Sequence, residues 1–560
     1  MLDKKRKLVL AAIAFLSICA LAIFGSKHLE QPNALVWYSI VPPLFAVTCA
    51  IATNRLMFSL GLAVVAGIVL SSVKSQPASI WMWVPSVFNH TYSVGKSVAD
   101  SFNLLIILFI VLILSTISVV IVSGGIQGII NWLTRFAKGP RSTQFVTVLM
   151  GFAVFIDDYA NTMIVGSSMR PATDHQRISR AKLAFLVDST TAPIAGLAVV
   201  STWIGYEVGL FTDVANSIGI QRDGYSMFFD ALGFRFYCMM TIIFVIANAV
   251  SGVDYGPMRK AQLLARKSGA VDSGEARSKS SRVFTKLKHS PSAIIHPLAA
   301  LVPIGTLFGV MFIGFWIDGG GRGSILSLSD WRNALSNANN VKILSIASGS
   351  SFLLAIVCAK LFSRINLSEI GVAIRSGLKG SLLPTTILVL AWGLKAVCDQ
   401  LSTGGFLAAA VEGVLSPLWF PALLFIAASV TSFATGTSWG TMAILIPTAI
   451  PVAFSLDGNV YGLTTMISLG AVLDGSIFGD HCSPISDTTI MSSIASDCEP
   501  IHHVHTQLPY SLTVAGLALI CGYIPAALGV SSYVAIGVAA ALIVLLFYIV
   551  GKIGDRQQLA

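Results

Sequence analysis

Along most of this chain, apolar residues run in stretches of about twenty, the length that crosses the hydrocarbon core of a bilayer as a helix. Short polar turns separate them, and the polar-in, apolar-out alternation of a membrane barrel is absent. Dividing the runs by length and by the position of Lys and Arg predicts about twelve spans. They fall near residues 8–25, 35–53, 56–72, 101–122, 183–205, 231–250, 293–317, 341–361, 381–402, 463–495, 508–527 and 533–551. The segment holding Lys74 and Lys96 reads as a polar loop.

Two further apolar stretches, 142–169 and 419–453, have polar centres, FIDDYANT and TSFATGTSWGT. A full crossing at 142–169 would carry Arg170, Arg177, Arg180 and Lys182 to the far side, and the basic segment 256–292 with them. A re-entrant hairpin with its tip at Asp157–Asp158 keeps these charges on one side. Non-helical backbone at that depth is tolerated where protein or a wet cavity covers it. Two spans also contain breaks. DSTTAP (Asp188 to Pro193) interrupts 183–205, and GDHCSPISDTT (Gly479 to Thr489) interrupts 463–495. Proline removes a backbone donor and clashes with the preceding turn, so a local opening follows mechanically.

These features recur in order. Gly124-Gly125 and Gly404-Gly405 each follow an apolar helix. Asn161-Thr162-Met163 resembles Gly440-Thr441-Met442, and TTAPIAG (Thr190 to Gly196) resembles HCSPISD (His481 to Asp487). Gly124 falls inside and Gly404 outside, so the copies are expected to be inverted. The expectation is an all-α polytopic membrane protein with about 12 transmembrane helices. It contains a 5+5 inverted repeat, spans 2–6 against spans 7–11, each half with a re-entrant hairpin and a broken helix. The expected parts are an N-terminal helix (1–34), a first repeat (35–255), a basic cytoplasmic linker (256–292), a second repeat (293–530) and a C-terminal helix (531–560).

Composition agrees. Charged residues make up 11% of the chain, against about 25% in soluble domains, too few to cover a water-facing surface. The net charge is +10, and residues 259–288 hold nine Lys/Arg against two Asp/Glu. A cytoplasmic linker explains that run better than a nucleic-acid site. Both termini are expected in the cytoplasm. The eight cysteines include no CxxC pair and read as packing residues.

The chemistry lies in the polar islands. Asp157, Asp158, Asp188, Asp474, Asp480 and Asp487 sit at or near membrane depth. Each would cost about 2.5–3.5 kcal/mol at a helix centre on insertion scales. A hard monovalent cation wants carboxylate, hydroxyl and freed carbonyl oxygens, which broken helices supply. The candidate ion- or substrate-binding residues are Asp157, Asp158, Asn161, Thr162, Asp188, Thr191, Thr437, Ser438, Thr441, Asp480, His481, Ser483, Ser486, Asp487 and Thr488. Sodium is expected at Asp157, Asp480 and Asp487. Asp188 and Asp474 also stand where carboxylates cap half-helices. His481 reads as a packed, hydrogen-bonded histidine within the island, with a proton relay as the alternative. His502, His503 and His505 read as a solvated cytoplasmic turn rather than a metal site. Lys395 and Asp399 should pair as i, i+4 neighbours. Gly436 to Gly440 matches G-x-S-x-G literally, but a nucleophile elbow needs a strand–turn–helix. His481, Ser483 and Asp487 could be drawn as a triad, which spacing alone does not make.

GDHCSPISDTT closely resembles the signature of the NhaC-type sodium/proton antiporters. VFIDDYANTMIVGSSMRP (154–171) and TSFATGTSWGTMAILIP (431–447) are similar to that family as well. The resemblance implies a secondary transporter of the ion-transporter superfamily type, in a bacterial cytoplasmic (inner) membrane. The expected function is sodium/proton antiport by alternating access at a midplane site, not enzymatic catalysis. The alternative is a sodium- or proton-coupled carrier of a small organic acid or amino acid. No cofactor is expected beyond sodium and protons as transported or coupling ions. The partners are the lipid bilayer and small ions, with a small organic solute under the alternative and no nucleic acid; an oligomer is compatible with the sequence.

Overall fold

The structure, a computed structural model, describes residues 16–17, 19–20, 36–53, 55–74, 80–155, 157–268, 290–321, 330–331, 334, 338–403, 406, 416–484 and 486–559. Most of the expected N-terminal helix, residues 269–289 of the linker and Gly404-Gly405 lie outside the described residues. Among the described residues there are helices, turns and bends and no strand. Nine described helices are long and apolar enough to cross a membrane, from Met57–Lys74 to Ser532–Lys552. Hydroxyls within them bond back to the preceding turn, as Thr116 Oγ1 does to the Leu112 carbonyl at 2.8 Å. Such bonds satisfy polar groups where water is absent.

Both hairpins are present as two helices with a short turn. The first is Pro140–Ala153 and Asp158–His175, the second Phe420–Thr435 and Ser438–Leu456. Gly436 makes the second turn with φ 71°, a left-handed conformation that glycine adopts without a Cβ penalty. Each hairpin packs against a broken helix. Arg180–Ser189 lies beside the first, and Leu463–Cys482 beside the second. Gly479 permits the second contact, since a Cβ there would lie 2.3 Å from the Ser429 carbonyl oxygen. The other half of the later broken helix, Asp487–Ser496, crosses over to pack on Asp158–His175 and Arg180–Ser189.

The span map needs four corrections. The expected loop after Lys74 contains a helix, Ile80–Val98. It is amphipathic: Val84, Phe88 and Tyr92 form one exposed stripe, while His90 Nδ1 meets Gln400 Oε1 at 3.0 Å. Its polar half dilutes the apolar signal that marks a span. Span 381–402 is the second half of one 35-residue helix, Leu367–Leu401. The span expected at 183–205 ends at Ser189, and a short helix, Ala192–Ala195, follows. Of residues 206–230, given no element by the pattern, 206–218 and 224–230 fall in Thr202–Ile218 and Gly224–Leu232. Both have N-caps: Ser201 Oγ accepts from Trp203 N, and Asp223 Oδ1 from Tyr225 N at 2.9 Å.

The loop after the first hairpin and the start of the basic segment lie at the same end. Gln262 joins them, donating to the Arg177 carbonyl at 2.9 Å and accepting from Ser179 N at 3.0 Å. Lys182, expected among the loop charges, is instead buried, bonded to Asn248 and Asp254. Tyr510 closes that group with a hydroxyl bond to Asp254 at 2.8 Å. Lys395 and Asp399 pair as expected, at 2.9 Å.

Candidate functional site

Helix ends leave carbonyls without partners, and each end placed at membrane depth needs a donor. The first hairpin meets this need with Asn161. Its side-chain amide donates to the carbonyl of Gly151 at 2.9 Å and to that of Thr190 at 3.1 Å. One residue thus closes the end of Pro140–Ala153 and the end of Arg180–Ser189. Thr162 sits one position on, 3.4 Å from the Thr191 hydroxyl. The second hairpin is closed the same way. Ser483 Oγ donates to the Phe433 carbonyl at 2.8 Å, and Ser432 Oγ to that of Ser476 at 2.6 Å. Gln507 serves the break itself, donating to the His481 carbonyl at 2.9 Å.

The carboxylates sit inside this frame. Asp157 precedes helix Asp158–His175 and accepts from Thr202 Oγ1 at 3.4 Å. Among the described residues it is the one charged group on the wall of a narrow cavity that Thr116 and Ser351 also line. Asp158 opens the helix and accepts from Tyr159 N at 3.0 Å, in the field of the helix N-terminus. Asp480, in the last turn of Leu463–Cys482, accepts from Thr488 Oγ1 across the break. Thr488 is joined to Ser486 at 3.0 Å, and Ser486 caps the next helix by accepting from Thr489 N at 3.3 Å. Asp487 opens that helix, and its side chain lies outside the described residues. Asp157, Asp158, Asp188, Asp474 and Asp480 are all buried.

Asp157 is bonded to Thr202, and Asp480 to Thr488. Thr437 and Thr441 bond within their own hairpin: Thr437 Oγ1 accepts from Gly440 N, and Thr441 Oγ1 donates to the Thr437 carbonyl. Ser438 is buried beside them. The first turns of Thr202–Ile218 reach both hairpins. Thr202 touches Asp157, and Tyr206 donates its hydroxyl to the Trp439 carbonyl at 2.5 Å.

Asp188 and Asp474 are not caps of the helices that carry them. Asp188 accepts from Ser492 at 3.1 Å and from Gln507 at 2.6 Å, and its carboxylate lies 3.3 Å from His503 Nε2. Asp474 lies inside Leu463–Cys482 and accepts from Arg235 Nε at 2.8 Å, Tyr237 N at 2.6 Å and Tyr523 Oη at 2.8 Å. It therefore caps the first turn of a different helix, Phe236–Ser251. His503 corrects another expectation. It stands in helix Pro500–Leu517, fully buried, where a solvated turn was expected. His481 Nδ1 faces the Tyr237 hydroxyl at 3.2 Å while Ser483 is held by the Phe433 carbonyl, so His481 and Ser483 form no nucleophile–base pair.

Sequence reasoning missed Arg235, Glu207, His503 and Gln507. The signals were present. Arg235 and Glu207 are lone charges in apolar runs, and His503 and Gln507 stand i, i+4 on one helix face.

Residues 194–527 match the model of the Na+/H+ antiporter family. The chain belongs to that family. The antiporter is thus a secondary transporter and a multi-pass membrane protein. It is similar to an uncharacterized protein of Haemophilus influenzae, 29% identical over 521 residues, 93% of this chain and 96% of that one. Shorter stretches resemble two named antiporters. The malate-2H+/Na+-lactate antiporter of Bacillus subtilis is 31% identical over 132 residues, 21% of this chain and 27% of that one. The Na+/H+ antiporter NhaC of Alkalihalophilus pseudofirmus is 32% identical over 128 residues, 23% of this chain and 27% of that one. Among solved structures, MtrF of Neisseria gonorrhoeae, from a class of antimetabolite efflux pumps, shares the fold. Its TM-score is 0.51 at 13% identity, over 79% of this chain and 84% of that one.

Proposed function

We propose that the antiporter exchanges sodium for protons by alternating access, with Asp157, Asp158, Asp480 and Asp487 as the carboxylates for which the two cations compete. The observation that supports this is the closure of helix-end carbonyls by side chains from the facing element, beside buried carboxylates. When Asn161 or Ser483 lets go, those carbonyl oxygens become ligands for a hard cation, next to a carboxylate that neutralises it. A protonated carboxyl offers no such charge, so sodium binding and proton binding exclude each other. The competition makes exchange possible without a cofactor. The two hairpins and broken helices recur in one order, consistent with inverted halves that take turns in opening.

The decisive assay is proton flux in proteoliposomes driven by a sodium gradient with no organic solute present. Flux under those conditions is expected. Flux that appears only when a small organic acid or amino acid is added would replace exchange with coupled solute transport. The name of the Bacillus subtilis relative favours that second reading, in which the N-terminus of Asp487–Ser496 would face the solute carboxylate.

The family setting and the basic segments support a cytoplasmic membrane location with both termini inside. His175 and Lys267 are exposed at one end of the molecule. On a cysteine-free background, His175→Cys and Lys267→Cys should both escape an impermeant thiol reagent in intact cells. Labelling of both from outside would invert the assignment.

A further inference from the structure

Arg235, Asp474 and Glu207 form a fully buried group apart from the hairpin carboxylates. Its hydrogen bonding is lopsided. Asp474 accepts three bonds, from Arg235, Tyr237 N and the Tyr523 hydroxyl. Glu207 accepts none from any described donor, and both of its oxygens are buried. Its nearest opposite charge is Arg235 Nη1, 3.7 Å away, too far for a hydrogen bond. That same nitrogen donates to the Gly196 carbonyl at 2.9 Å. One guanidinium therefore faces two carboxylates and is committed to one of them.

We infer that Glu207 is a second proton-binding site of the antiporter, and that its proton decides whether Arg235 holds the Gly196 carbonyl. A buried carboxylate without donors is strongly disfavoured as an anion, whereas a protonated carboxyl is neutral and can donate. With Glu207 protonated, Arg235 and Asp474 balance each other. When Glu207 releases its proton to water, the group carries one net negative charge. The electrostatic pull on Nη1 then favours Glu207 over the neutral Gly196 carbonyl. Gly196 ends the short helix Ala192–Ala195, directly after the Thr190–Thr191 break that Asn161 and Thr162 close. Ionisation of Glu207 thus loosens the break from the side opposite the first hairpin.

Other ionisable groups are engaged elsewhere. Helices Ser101–Val122 and Ser438–Leu456, both packed against Thr202–Ile218, carry none. Leu367–Leu401 brings Lys395 and Asp399, which act on Asp213 farther along Thr202–Ile218. Gly224–Leu232 brings Asp230, which pairs with Arg222 at 3.7 Å, and Tyr225, whose hydroxyl donates to the Val199 carbonyl at 2.6 Å. Cys238 lies 3.6 Å from Arg235 Nη2, on the Arg235 side of the group.

The inference builds on the exchange reading but has its own readout. Infrared spectra of the full-length antiporter in nanodiscs, from about pH 5 to about pH 9, report protonated carboxyls directly. Wild type should show a protonated-carboxyl band, sensitive to deuterium, that fades as pH rises. Glu207→Gln should lose one component of that band, and Asp157→Asn should keep that component. Glu207→Asp should shift it, a check that stands if the glutamine variant folds poorly. A spectrum that Glu207→Gln and Glu207→Asp both leave unchanged overturns the inference, whatever the flux assay gives. Absence of solute-free sodium–proton flux with the band intact removes the exchange reading and leaves Glu207 as a proton site.

Discussion

Asparagine at Asp157 or at Asp480 is expected to abolish sodium-dependent proton flux while the protein still inserts and folds. Asparagine keeps the shape of the side chain, and its carbonyl oxygen can still accept from Thr202 at position 157 or from Thr488 at position 480. What it loses is the full negative charge and the exchangeable proton. Truncating one partner of a buried charge contact costs about 2–5 kcal/mol, and each 1.4 kcal/mol is about tenfold, so flux should fall by roughly 30-fold or more. The assay is flux in vesicles at matched expression, across a pH series. Wild type carries a second signature: a lower pH protonates more of the carboxylates and should raise the apparent Km for sodium. The two positions are informative together because one carboxyl group stands at the first hairpin and the other at the later helix break. Loss at both means that the groups act in one cycle. Near-normal exchange in both variants, with a sodium Km that ignores pH, would put the exchanged cations somewhere else in the molecule.

How far the sequence reached depends on what each residue's signal was. The polar islands were legible because carboxylates and hydroxyls are rare in apolar runs, and the two hairpins appear where FIDDYANT and TSFATGTSWGT interrupt them. The break at Pro484 was legible for a mechanical reason. Helix Ile80–Val98 was not, because an amphipathic helix resembles a polar loop to any rule that counts apolar residues. Residues 206–230 were missed for a related reason, since Glu207, Asp213 and Asp223 dilute the run. Partners were the hardest part. Asp188 resembled a cap because a break follows it, yet its donors come from Ser492, His503 and Gln507, about three hundred residues away. His503 sits in a polar run, and only the i, i+4 spacing to Gln507 hints that both face inward. Which charge meets which is set by how the helices pack, and no local pattern carries that.

The group around Arg235 should dominate stability. Removing one partner of a buried ion pair costs about 3–5 kcal/mol, because the other charge stays behind without compensation. Arg235→Met keeps much of the volume and strands Asp474, so a loss of that size is expected in thermal unfolding of the detergent-solubilised protein. Asp474→Asn should be milder. Arg235 still has Glu207 at 3.7 Å, and Glu207 can ionise to take the place of Asp474. The amide oxygen at 474 can meanwhile accept from Tyr237 N, which keeps the first turn of Phe236–Ser251 capped. Tyr523 is aimed at this position by a π-helical turn over Ala518–Tyr523 and stays in reach. The double variant Asp474→Asn/Glu207→Gln removes both counter-charges and leaves a guanidinium buried with none. It should be destabilised well beyond the sum of its two single variants, a coupling that a double-mutant cycle measures directly. Strictly additive losses would mean that Glu207 never substitutes for Asp474. In that case the 3.7 Å gap to Arg235 is fixed, and Glu207 does not act on the Gly196 carbonyl.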